Sequence, residues 1–367
     1  MSSSIVRTSA PTRVERFDTI VIGAGQAGLA VGHHLASRDI DFVILSDESR
    51  LGDNWRMRWD SLRLFTPARY SGLPGMPFPA PPEHLADKDE VADYLERYAE
   101  RFDLPVRLDS RVRSLTHDGE RFAVRLEGSD TILEAENVVV ATGAARRPRI
   151  PAFAGRLASS IHQLHSSEYR NPFELPDSPV LVVGAGNSGA QIALELARYR
   201  KVWLAGRDTG HLPRRLLGRD LFDWFWPIMG RATADTRIGR RLRAQSSGDA
   251  LIGIPERALR AAGVTRVARV VDVREGLPLC GAATLQPSVV VWCTGFTPDY
   301  TWMSLPVFDD AGQPRHRRGV ASDLPGLFFV GLRFQHRLRS SLLGGVGEDA
   351  EFVAEQVAQR SDAPVAV

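Results

Sequence analysis

Cysteine is nearly absent: Cys280 and Cys293 are all that 367 residues supply. Two are too few for a disulfide framework, and their separation is not that of a Cys-x-x-Cys motif, so neither a stapled scaffold nor a dithiol redox centre is written into the chain. An excess of one charge is lacking as well. The formal net charge is +2 at pH 7, which gives no global field for nucleic acid or an anionic membrane. No apolar run approaches the length that spans a bilayer. Residues 1–16 carry Ser, Thr and Arg around no apolar centre and read as a frayed tail rather than a signal peptide. The expectation is a cytoplasmic protein, monomer or homodimer, with neither nucleic acid nor membrane as partner. What is present is ordinary for a globular chain, 43% hydrophobic and 25% charged, enough for two or three domain cores.

The organising stretch runs from Asp18 to Glu48. Thr19–Ile22 reads as a buried parallel strand, Gly23-Ala-Gly-Gln-Ala-Gly28 follows directly, and Gln26–Ser37 reads as a helix before a second strand at Asp41–Leu45. In such a βαβ unit the first glycine permits a tight turn. Gly25 lets a pyrophosphate approach the backbone, Gly28 lets helix and strand pack closely, and the helix N-terminus, with Gln26 and Ala27, offers N–H groups to phosphate. A lone motif of this kind is a weak signal. Here it recurs: the strand Pro179–Val183 leads into Gly184, Gly186, Asn187, Ser188 and Gly189, with Lys201–Leu204 as the next strand. The duplication predicts two dinucleotides on two domains.

The residue that ends the second strand of such a unit meets the adenosine ribose. Ser46 and Arg207 each stand 18 residues beyond their third glycine. Arg207 suits a ribose 2′-phosphate and hence NADPH rather than NADH, with a plain surface arginine as the alternative and Arg214 or Arg215 as substitutes for the role. No arginine stands at the first position, which suits a dinucleotide without that phosphate, such as FAD. An acidic residue is expected where Ser46 lies; Asp47 or Glu48 is available in its place.

Elsewhere the pattern is that of an α/β protein. Tyr70–Pro82, with five prolines, reads as an extended wrap and Asp89–Phe102 as an amphipathic helix. Arg111–Thr116 and Arg121–Leu126 read as a hairpin across His117-Asp-Gly119. Two buried strands end in small turns, Ala141-Thr142-Gly143 and Cys293-Thr294-Gly295. The segment 211–262, rich in arginine and aromatics around Leu221–Trp226, reads as helices inserted into the second domain, its aromatic tract Leu221–Pro227 first as core, with a substrate lid or an amphipathic membrane dip as alternatives. Gly326–Gly331 reads as a late strand and Gly347–Gln359 as a closing helix. The expected division is two Rossmann-like domains, the second inserted into the first: 17–165 with 305–367 for FAD, and 170–300 for NADPH.

On these residues, from Asp18 to Gln359, the chain resembles the NADPH-dependent, FAD-containing monooxygenases, the flavin-containing and Baeyer–Villiger group, and especially their short bacterial members. Gly52-Asp-Asn-Trp-Arg56 is similar to the family's Gly-Gly-x-Trp segment under the flavin, and the second Ala-Thr-Gly turn has cysteine for alanine. The resemblance implies FAD and NADPH as cofactors and O2 with a small molecule as substrates. It implies cofactor contacts at Asn54, Trp55, Arg56, Val112, Ala141, Thr142, Gly143, Thr294, Gly295 and Gly331. Phe153-Ala-Gly155 and His165-Ser-Ser-Glu-Tyr169 resemble the family's linker signature, and Tyr169 in place of tryptophan leans toward heteroatom oxidation.

In the implied chemistry NADPH reduces FAD, the reduced flavin takes up dioxygen as a C(4a)-hydroperoxide, and one oxygen atom passes to a soft nucleophile or carbonyl compound. No side-chain nucleophile is required, so no catalytic residue is firmly assigned; Phe65, Thr66, His165 and Tyr169 are the candidates. His162, His165 and Glu168 would share a face only on a helix and lack further ligands, so no metal is expected. The competing functions are an NADPH:acceptor reductase or oxidase without oxygen transfer, and a non-catalytic flavoprotein sensor or partner subunit.

Overall fold

Runs of Val, Ile and Leu without polar alternation cannot turn one face to water, and they form the middle of two parallel sheets. The computed structural model describes residues 13–143, 146–237, 239–241 and 251–361. Strand β1 (Val14–Ile22) leads through α1 (Gln26–Ala36) to β2 (Phe42–Leu45). The one-turn helix α2 (Asp53–Arg56) and α3 (Lys88–Arg101) precede β3 (Val106–Arg107), β4 (Val112–His117), β5 (Phe122–Leu126) and β6 (Ile132–Val140). β1 lies between β2 and β6, with Ile22 in register with both Leu45 and Val140. The late strand Leu327–Phe329 adds to the far side of β6.

Between leaving this sheet and returning to it, the chain builds the second. β7 (Arg147–Pro148) forms an antiparallel ribbon with Phe296–Thr297. β8 (His162–His165), β9 (Val180–Val183) and β10 (Val202–Ala205) follow, with α4 (Asn187–Leu196) crossing from β9 to β10. The order across the sheet is Thr265–Val267, β10, β9, Val289–Trp292, β8. The topology is thus the expected α/β arrangement, one sheet's chain inserted between strands of the other.

Some boundaries move. β1 starts at Val14, so the last residues of the expected tail belong to a strand; residues 1–12 lie outside the described ones. His162–His165, drawn with the first domain, hydrogen-bonds in the second sheet. As a strand it sends His162 and His165 to opposite faces. The segment 211–262 is not purely helical. An antiparallel hairpin, Arg215–Leu216 with Arg219–Asp220, comes before α5 (Leu221–Arg231). The Asp220 carboxylate accepts from Phe222 N at 2.9 Å, which fixes the helix start after the hairpin. Residues 238 and 242–250 of this segment are outside the described ones.

The proline-rich wrap is held by α3. Asp87 and Glu90 form a reciprocal cap at its start. Tyr94 and Tyr98 then donate to the carbonyls of Met76 and Pro74, at 2.6 and 2.8 Å. The halves are also sewn together in their cores: Trp59 and Leu62, from the first-half chain, are buried among second-half residues such as Val182 and Leu196.

Candidate functional site

The two glycine turns superpose in every local demand. Gly23 and Gly184 have φ of 109° and 111°, in the region that favours glycine. A Cβ on Gly28 would stand 1.8 Å from Gly23 O, and one on Gly189 1.8 Å from Gly184 O. These four glycines are required by the chain itself. Gly25 and Gly186 are not. Their φ of −75° and −81° suits any residue, and a Cβ there would meet nothing within 4 Å. The space that a side chain would fill is the space a pyrophosphate needs. Both helices start without a side-chain cap hydrogen bond and without an acidic residue in the first turn, so neither start carries a negative group that would compete with a bound anion.

A cavity of about 700 Å³ opens over the first turn. Gly23, Gly25, Gln26 and Ala27 lie along it, Gly28 packs beneath, and Ala141, Thr142, Gly143 and Gly331 complete that side. Ser46 and Asp47 line it, as do Val112, Asn54 and Trp55. Ser188, from the second turn, lines the same cavity, whereas Gly184, Gly186 and Gly189 do not. Arg56 does not face it. Its guanidinium donates to Leu51 O at 2.7 Å and to Asp93 and Glu96 at 2.9 Å, which ties α2 to α3.

The three residues after β2 divide the work. Glu48 accepts from Gly52 N and Asn54 N, each at 3.0 Å, and burial still pushes its carboxyl above the ordinary range. It is engaged in shaping the α2 turn. Ser46 is buried and accepts from Glu48 N at 3.3 Å. Asp47 is buried enough to raise its carboxyl, yet the Arg146 guanidinium at 2.5 Å holds it below the usual range, with Arg111 at 3.4 Å adding to the effect. Arg146, Arg111 and Arg58 line the cavity and escaped sequence reasoning. Arg146 stands three residues past Gly143, a legible position, but its carboxylate partner lies 99 residues away.

In the second half, Arg207 is exposed directly beyond β10 and forms no ion pair among the described residues. Asn187 uses its carbonyl oxygen on Ile252 N at 3.0 Å. The Thr294-Gly295 turn is gripped by the ribbon: Arg149 Nε donates to Thr294 O at 2.9 Å, and Arg149 N to Gly295 O at 2.9 Å. His165 is fully buried, with Nε2 3.0 Å from Gly295 O and Nδ1 2.9 Å from Ser167 Oγ, and burial lowers its pKa. It joins the linker to the turn rather than facing the cavity. Tyr169 is buried in the second core, donating to Glu195 at 2.7 Å. Thr66 is buried with its hydroxyl 3.1 Å from Ser71 Oγ, and Phe65 stacks on Phe222 at 6.2 Å. None of these four candidates lines the first cavity. Both cysteines are free thiols, and burial pushes Cys280 to about 11 and Cys293 to about 12.

Known proteins share this architecture. Residues 20–215 match the family model described as pyridine nucleotide-disulphide oxidoreductase. The uncharacterized oxidoreductase CzcO-like of Geobacillus kaustophilus is 42% identical over 345 residues, 93% of this chain and 98% of that protein. Indole-3-pyruvate monooxygenase YUCCA1 of rice (Oryza sativa subsp. japonica) is 36% identical over 208 residues, 55% of this chain and 51% of that protein. The solved flavin-containing monooxygenase from Stenotrophomonas maltophilia superposes with a TM-score of 0.78 at 28% identity, covering 95% of this chain and 99% of that one.

Proposed function

For a chain that belongs to the pyridine nucleotide-disulphide oxidoreductase family, in its flavin-containing monooxygenase branch, we propose a reaction that consumes NADPH and dioxygen and places one oxygen atom on a small soft nucleophile or carbonyl compound. The enzyme uses FAD at the Gly23–Gly28 turn and NADPH at the Gly184–Gly189 turn. One observation carries this reading: two glycine turns, each with an open Cβ direction at Gly25 and Gly186, stand beside a cavity that the first turn and Ser188 of the second line, while burial pushes both thiols above their ordinary range. Such thiols make poor nucleophiles for disulfide exchange, which favours oxygen chemistry over dithiol chemistry on this architecture.

Bound flavin supplies hydride acceptance and oxygen activation, neither of which any side chain here can provide. The chain's own residues bind, orient and keep water out. Backbone N–H groups of the two helix starts hold the pyrophosphates. Asp47, kept ionised by Arg146, accepts from the ribose hydroxyls of the first cofactor, in place of Ser46. Arg207 pairs with the 2′-phosphate of the second. Phe222, Tyr70 and Trp226 form an aromatic wall, with Tyr70 and Trp226 5.0 Å apart and Arg339 5.1 Å over the Trp226 ring. Tyr70 also donates to Asp223 at 2.7 Å, which ties α5 across the first half. None of the three aromatic residues lines the cavity over the first turn, so the wall shields the reaction from water only as a lid closed over that cavity.

The test is stoichiometric. FAD-loaded protein is given NADPH in air with a panel of sulfides, amines and ketones, and NADPH consumed, product formed and peroxide released are counted. Product formation coupled to NADPH with little peroxide is expected for at least one substrate class. One peroxide per NADPH with every compound would move the function to an oxidase.

A further inference from the structure

We propose that the Arg215–Asp220 hairpin and the outer face of α5 form a docking surface for an anionic lipid bilayer. The hairpin closes through Leu217 and Gly218, both at positive φ, 51° and 78°. Two-residue turns of this kind select Asn, Asp or Gly, because a bulky side chain is disfavoured in left-handed backbone. Leu217 is nevertheless there, and it is 84% exposed. The position carries a backbone penalty and an apolar side chain in water, and the fold gains no burial from either.

Leu217 is not isolated. Leu216, Trp224 and Ile228 are 42%, 39% and 57% exposed. Trp224 Nε1 donates to Leu216 O at 3.2 Å, which holds the indole beside the hairpin, and Ile228 follows one helical turn on. The inner face of α5 buries Leu221 and Phe222. The helix is therefore apolar on two sides, and only one of them is covered.

Charge says what suits the uncovered side. Arg215, Arg219 and Arg231 are exposed around it, and the Arg219 guanidinium lies over the Trp224 ring at 5.7 Å. The two acids of this stretch face inward: Asp220 pairs with Arg214 at 2.8 Å, and Asp223 with Arg69 at 2.8 Å. A surface with cations outside and acids turned in repels a second copy of itself. Anionic headgroups instead meet the arginines while Leu217, Trp224 and Ile228 enter the boundary below them. The net charge of +2 hides this local imbalance, which is why no membrane partner was expected from the sequence. Docking of this kind needs no spanning segment, and no described helix is long and apolar enough to cross a membrane.

The experiment is co-sedimentation of the full FAD-loaded protein with vesicles of phosphatidylcholine alone, and of equal parts phosphatidylcholine and phosphatidylglycerol. The protein is expected to pellet with the mixed vesicles only, and to be released by raised salt. Leu217→Asn is expected to melt at the same or a higher temperature, since asparagine accepts the turn, while its partition falls roughly 10-fold. Arg215→Gln with Arg219→Gln is expected to weaken partition by about 10-fold as well. Equal pelleting with both vesicle types, or undiminished binding by Leu217→Asn, overturns the proposal. So does a concentration-dependent dimer that Leu217→Asn dissolves while neither vesicle is bound; the patch is then a protein interface.

Discussion

The two halves begin alike and then part. Each has a strand whose last four residues are buried, a glycine turn at nearly the same φ, and a helix whose third glycine touches the first. Beyond the second strand, the first half continues as Ser46-Asp47-Glu48, with carboxylates tied to Arg146 and to the N–H groups of α2. The second half continues as Gly206-Arg207-Asp208, with Arg207 left to solvent. The difference teaches that two turns of one geometry can be followed by opposite charge, and under the proposed function it is the strand end that chooses between the two dinucleotides. An exposed arginine attracts a 2′-phosphate, whereas a carboxylate already matched by Arg146 and Arg111 offers its acceptors to hydroxyls.

The sharpest way to break the comparison is at the glycines that the fold does not itself require. Gly25→Val is expected to purify without flavin, and Gly186→Val to keep flavin while losing NADPH-driven reduction. Both should remain folded by circular dichroism, since a Cβ at either site meets nothing within 4 Å. Loss of flavin from both variants would mean that the cradles are not independent.

Next in size is the strand end. A charge-assisted hydrogen bond to phosphate contributes about 1.5–3 kcal/mol, so Arg207→Ala should raise the apparent NADPH constant by about 10- to 150-fold and leave NADH nearly unchanged. Equal losses with both would indicate general damage, and no loss would transfer the role to Arg214 or Arg215.

A smaller effect separates the two faces of α5. Trp226 packs on Tyr70 and under Arg339, whereas Trp224 is exposed. Trp226→Ala should release more peroxide per NADPH, while Trp224→Ala should leave that ratio near the parent's. Identical ratios in both variants would return the inner tract to mere packing.

The smallest concerns acid stability, where the halves differ again. α1 ends in His33 and His34; α4 has no basic residue in its last turn. Burial, helped by His33 and Arg38, lowers the His34 pKa from 6.5 to about 4. The fold therefore prefers neutral His34. That contribution is complete above 6.5 and is lost as pH falls toward 4. Urea unfolding near pH 5 should show about 1 kcal/mol less stability from this group than at neutral pH, allowing for solvent screening. His34→Gln should remove most of that difference, and an unchanged slope would shift the cause to the buried His165.

Both cradles and the α/β plan were legible in the chain because their causes are local. Strand burial, a tight turn and close helix packing are decided within about ten residues, and only glycine satisfies the sterics at Gly23, Gly28, Gly184 and Gly189. Even the Arg207 position follows from counting along one βαβ unit. The tertiary structure alone decided what partners each side chain meets. Asp47 is ionised under Arg146 from 99 residues away, and Trp59 fills the other half's core. Arg56 braces α3 instead of facing the cavity, and Tyr169 is buried where the linker pattern had made it a reaction-site candidate. The aromatic tract, read as core or lid, divides between a covered and an exposed face. Backbone sterics act over a few bonds and leave their mark in residue type. Pairing and burial depend on distances between remote segments, which no short pattern encodes.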